Sequence, residues 1–209
     1  MNLGQLKDKV RRLMGDESGT ILTDDFLLDW ISEGELDIVK KTECLEASTS
    51  WAASTSSQTY ALPSNFMYAK RVSLDGVALK AVTMEDADFI TGAIDEDTYT
   101  FPAAAGTYYI WNSNLYISAQ SSNTGNVVLH YIKYPTELST DTTDLSIPRH
   151  MQDDLIRYVC AKCRERLDEM DEARFAQADY NAEVTESAAI ENWQTKDSYP
   201  AVRLAYGDY

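Results

Sequence analysis

Cys160-Ala-Lys-Cys163 is the one stretch whose residue types and spacing suggest metal or redox chemistry. Two thiols three residues apart build a zinc site only with a second Cys or His pair at ligand spacing, and the sequence offers none. Its two histidines, His130 and His150, fall in a predicted strand and at a predicted helix start. On a helix, the two cysteines read as small core residues. Asp95-Glu96-Asp97 is a compact acidic cluster without the alternating ligands, central glycine and closing glutamate of a calcium loop, so it reads as a solvated turn. There is no glycine-rich phosphate loop, no GxSxG elbow and no HExxH. The sequence thus predicts no catalytic residue, no metal and no cofactor.

Aromatic residues are the positive anomaly. The chain has 13 tyrosines and 4 tryptophans. Many fall in the middle of the sequence: Tyr60, Tyr68, Tyr99, Tyr108, Tyr109, Tyr116, Tyr131 and Tyr134, with Trp51 and Trp111. On a strand, neighbours such as Tyr108 and Tyr109 must point to opposite faces. One of each pair then faces outward, where tyrosine suits a protein interface or stacking on sugar. Strand propensity and core filling account for the others. Tyr108, Tyr109, Trp111 and Tyr116 are the candidate interface aromatics.

The elements that must position these residues come from hydrophobic spacing. Residues 3–14 carry Leu3, Leu6, Val10, Leu13 and Met14 at helical steps, and Gly15 is the expected stop. Thr23 is the expected N-cap of a second helix, with Asp24 and Asp25 in the first turn and Leu22 and Leu27 as a hydrophobic staple. That helix places Phe26, Leu27, Trp30, Ile31, Gly34 and Ile38 on one face and ends near Cys44–Ala47. Residues 148–193 contain no further Gly or Pro after Pro148, which suits the first helical position. As one rod they would run about 70 Å. The charged run Asp168–Asp171 predicts a break, giving helices over 148–168 and 171–193. Met151, Leu155, Tyr158, Val159, Cys163 and Leu167 stripe the first; Ala173, Gln177, Tyr180, Val184 and Ser187 weakly stripe the second.

Between these ends the pattern turns β-like. Asp75-Gly76 between Tyr68–Leu74 and Val77–Val82 predicts a hairpin, as does Asn112-Ser-Asn between Thr107–Trp111 and Leu115–Ser118. Thr83–Ile90 reads as a short helix and Val127–Tyr134 as the best strand. The predicted fold is α+β: an antiparallel bundle of about four helices from both chain ends, with an inserted antiparallel β-sandwich or barrel-like unit. The predicted domains are a helical pair over 1–46, the β domain over 47–146, a helical hairpin over 147–194 and an extended C-terminal arm over 195–209.

Charge narrows the function classes. The net charge is −16 with a pI of about 4.4. Residues 1–45 carry −4, 46–147 carry −7 and 148–209 carry −5, so the acid is spread along the chain. Tight binding to nucleic acid or to an acidic membrane surface is disfavoured, because both rest on Lys and Arg. A duplex passing nearby without sticking is compatible with such a surface. The opening sixteen residues lack a signal-peptide core, no run reaches transmembrane length, and three cysteines fit a reduced cytosolic site of folding.

The order of the parts resembles the head–tail adaptor (connector) proteins of tailed bacteriophages, in particular the podovirus adaptors and the tail tubular protein A group. NLGQLKDKVRRLMGD and ILTDDFLLDWISEGELDIVKKT resemble the family's paired N-terminal helices. TYALPSNFMYAKRVSLDGVAL resembles its entry into the β insertion, and LSIPRHMQDDLIRYVCAKCRERLDEMDEARFAQADYNAEV its C-terminal helical hairpin. The resemblance implies a non-enzymatic virion protein at the head–tail junction, made in the host cytoplasm. It implies a twelve-subunit ring under the portal, added after DNA packaging and crossed by a DNA channel. The implied partners are the portal protein, a tail or nozzle protein, and tail fibres as a further candidate; no membrane is implied. By the same analogy the arm would grip the portal through Tyr199, Val202, Leu204, Tyr206 and Tyr209. The alternative is a tail component whose β domain binds or hydrolyses glycan, with Asp86 and Asp95 as the carboxylate pair.

Overall fold

The computed structural model describes residues 1–53, 59–83, 106–117 and 125–195. It divides into two compact units, one of residues 1–44 with 135–209 and the other of residues 45–134. The predicted helix at Thr83–Ile90, Asp86, the Asp95–Asp97 cluster and the arm residues Tyr199 to Tyr209 lie outside the described residues, apart from Thr83.

The first unit is helical. Helix α1 (Leu3–Met14) starts on a reciprocal cap: the Asn2 side chain accepts from the Gln5 N–H, and the Gln5 side chain accepts from the Asn2 N–H. It stops at Gly15, whose φ of 70° is left-handed. Leu3, Leu6 and Val10 are buried, but Leu13 is 61% exposed, so the predicted stripe is one turn too long. Helix α2 (Asp24–Thr42) begins after Thr23, whose side chain makes no capping hydrogen bond. The staple residues Leu22 and Leu27 are both fully buried. Leu27, Ile31, Gly34 and Ile38 face the core, with Phe26 and Trp30 at its margin.

A 3₁₀ turn (Arg149–Met151) leads into α3 (Gln152–Arg166), and α4 (Met170–Thr195) follows. Pro148 is therefore not the first α-helical residue. It caps the 3₁₀ turn with an extended ψ of 151°, and α3 starts four residues later. The break between α3 and α4 falls at Leu167–Glu169, where Asp168 takes a φ of 62°. Left-handed backbone ends a helix, and a short polar Asp tolerates it better than a branched residue. In α4 the buried side chains are Ala173, Tyr180 and Val184, which are members of the weak stripe.

The second unit holds two four-stranded sheets. The first has the order β1–β8–β3–β4 and is antiparallel: β1 is Glu46–Ala52, β3 Phe66–Leu74, β4 Val77–Ala78 and β8 Asn126–Lys133. The second has the order β2–β7–β6–β5: β2 is Thr59–Ala61, β5 Lys80–Ala81, β6 Thr107–Trp111 and β7 Asn114–Ile117. Both predicted hairpins form. Their two central residues, Asp75-Gly76 and Asn112-Ser113, all have positive φ, the turn form whose twist matches paired strands. Val72, Val127, Leu129 and Tyr131 from one sheet share a core with Tyr60, Tyr108, Leu115 and Ile117 from the other.

Two expectations are corrected. The described strands do not close into a barrel, and the second sheet is mixed, because β5 runs parallel to β6. The chain leaves the first sheet after β4 and joins the second at β5, one residue on. The long connection from Val82 to Gly106 is what a parallel pairing requires.

Candidate functional site

The thiols of α3 are placed for packing. Cys163 is fully buried, and burial pushes its thiol up to about 12. Burial also raises the Cys160 thiol, against the opposing pull of Arg164 and Lys9. A thiol held protonated is a poor nucleophile and a poor ligand. His130 is exposed on β8, and the His150 Nε2 lies 3.3 Å from a Glu191 carboxylate oxygen. Among the described residues, no three His, Cys, Asp or Glu side chains gather as metal ligands.

Buried polar groups in the helical unit are instead spent on joining segments far apart in sequence. Lys7, itself buried, donates to Asp141 at 2.9 Å and lies 3.6 Å from Asp24. Arg11 bridges the Leu22 carbonyl and Asp24, and this guanidinium holds the Asp24 carboxyl below its ordinary range. Glu35 on α2 accepts from the Ser146 N–H at 2.8 Å and from the Ile147 N–H; burial nevertheless raises its carboxyl. Burial likewise raises Asp154 of α3, although the Ser187 hydroxyl donates to it at 2.9 Å. Tyr180 of α4 donates to Asp37 of α2 at 2.6 Å and packs edge-on against Tyr158 of α3. Sequence reading missed Glu35, Asp154 and Lys7. The available signal was position: Glu35 sits between Ile31 and Ile38 on the apolar face of α2.

Two surfaces remain that these internal contacts do not use. On the β unit, the predicted aromatics separate as strand alternation demands. Tyr108 turns inward to the shared core, while Tyr109 and Trp111 share the opposite face. Tyr109 stands opposite Tyr116 in the register and stacks on it, with ring centroids 4.8 Å apart and planes 3° from parallel. Trp111 is 57% exposed. The second surface is a groove of about 500 Å³ on the helical unit, between α1, α3 and α4. Leu13 and Phe175 line it and are 61% and 76% exposed. Ile156, Cys160 and Ala176 are further apolar lining, with Arg157, Arg164 and Asp179 as the charged part. Arg157 is already paired with Asp179 and Glu183, at 2.6 and 3.1 Å. The Arg164 guanidinium reaches only the Glu172 carbonyl, at 3.5 Å, and meets no carboxylate among the described residues.

No curated protein matches the chain. The family model described as SU10 adaptor protein matches residues 1–204, which takes in every element of both units. With its helices drawn from both chain ends and its inserted pair of sheets all falling within that match, the chain belongs to the SU10 adaptor protein family.

Proposed function

We propose that this protein is a structural component of a phage virion that joins head to tail as a ring beneath the portal. Its subunits, twelve by analogy, surround a channel through which DNA passes. The family match across residues 1–204 carries this reading. The charge supports it: a surface at −16 repels a passing duplex and keeps it from adhering. A closed ring needs two different complementary faces on each subunit. The helical groove and the aromatic face with Tyr109, Trp111 and Tyr116 are the proposed faces, and residues 195–209 are the proposed grip on the portal. A tail or nozzle protein follows on the distal side, with tail fibres as a further contact. Assembly of such a ring calls for no catalysis, cofactor or membrane.

Mass photometry of the purified chain, alone and with portal rings, tests this. The expected result is a ring that forms only on the portal, and loss of that binding when residues 195–209 are deleted. A stable oligomer indifferent to the portal would overturn the reading.

A further inference from the structure

The groove on the helical unit pairs two side chains that ordinarily seek cover. Leu13 comes from the last turn of α1 and Phe175 from the second turn of α4, and both line one apolar concavity. We propose that in the unassembled subunit this groove is the docking site for residues 196–209 of the same chain.

Three observations favour that occupant. The first is reach. Phe175 lies 20 residues before Thr195 on α4, about 30 Å back along the helix. The 14 residues after Thr195 span up to about 48 Å when extended. The second is chemistry. Val202, Leu204 and Tyr206 alternate with Arg203 and Ala205, so an extended segment turns its three apolar side chains to one side. Asp208 follows two residues later and supplies a carboxylate for Arg164, which has none among the described residues. The third is tethering. A covalently attached segment is present at an effective concentration on the order of millimolar, far above that of a free second copy in a dilute solution.

The proposal stands apart from portal binding and can fail without it. It makes the groove a holding site that keeps the apolar segment and the apolar groove covered until assembly offers both another partner.

Cys160 lines the groove and reports on its cover. Maleimide labelling of the full chain and of a chain ending at Thr195, resolved site by site by mass spectrometry, reads it directly. Labelling of Cys160 should be at least about tenfold faster in the shortened chain, while Cys44, which does not line the groove, keeps its rate. The full chain carrying Leu204→Asp and Tyr206→Asp should label as fast as the shortened one. A peptide of residues 196–209 added to the shortened chain should slow Cys160 again. Equal Cys160 rates in the full and shortened chains would overturn the proposal. Protection that grows with protein concentration would also overturn it, by making a second copy the occupant.

Discussion

Glu35 is a carboxylate at 1% exposure with no cation beside it among the described residues. Two backbone N–H groups, from Ser146 and Ile147, satisfy it instead, and burial still raises its carboxyl above the ordinary 4.5. Between 4.5 and the raised folded value, the native state binds the proton better than the unfolded chain, so stability falls as pH rises through that window. Asp24 works the other way: its lowered carboxyl adds stability above its ordinary 3.8, which is lost on acidification. Replacing Glu35 with Gln keeps an acceptor for the two N–H groups and removes the charge. The variant's melting temperature should therefore improve relative to the parent as pH is raised from 4.5 to 8, and thermal melts across that range check it. A difference that stayed flat would mean that folding does not shift the Glu35 carboxyl. The spacing of Ile31, Glu35 and Ile38 made this burial readable. What no spacing could reveal was the partner, because Ser146 is 111 residues away.

At the scale of elements, the decisive contact is the approach of α2 to α3 at Gly34. A methyl group placed there would lie 2.5 Å from Leu155 Cδ1 and 2.7 Å from Tyr158 Cδ1, both on buried side chains. Alanine is the better helix former by about 1 kcal/mol, but overpacking a filled core costs about 1–3 kcal/mol. Gly34→Ala should lose roughly 1 kcal/mol net, visible as a lower urea midpoint at unchanged slope. An unchanged or higher midpoint would mean that the helices part easily. Sequence reading found Gly34 on the inner face and found the four α-helices of the described residues, because 3.6-residue periodicity survives in each. It missed β1, Glu46–Ala52, because its half-buried positions are filled by Ala47, Thr49 and Trp51, so no run of large apolar residues marks the alternation. It kept Leu13 in the core because period alone cannot say where a neighbouring helix ends and a groove begins. The aromatic face was legible as alternation. The groove was not, since Leu13, Cys160 and Phe175 meet only after folding.

The whole molecule joins a contiguous unit to a discontinuous one. Residues 45–134 own a core, and their two ends meet where the Lys133 N–H donates to the Leu45 carbonyl. A segment with adjoining ends and its own core should fold when cut out. Residues 45–134 expressed alone should give a dispersed amide NMR spectrum and a cooperative melt; a collapsed spectrum would show that the sheets depend on the helices. The helical unit has no such independence. The Leu3 and Gly4 N–H groups donate to the Thr143 and Asp141 carbonyls, the Leu145 N–H donates to the Met1 carbonyl, and Asn2 pairs with Asp144. These bonds set a schedule for synthesis. The first turn of α1 leaves the ribosome early, yet its partners arrive only after more than 130 further residues. Contacts that distant carry a high loop-closure cost and form late. The strands of residues 45–134 can therefore close while the first two helices still wait, and pulse-labelled hydrogen exchange should find β3 and β8 protected before α1. On this account the inserted sheets are the first part of the protein to become native, and they bring the opening and returning segments of the chain together for the helices to complete.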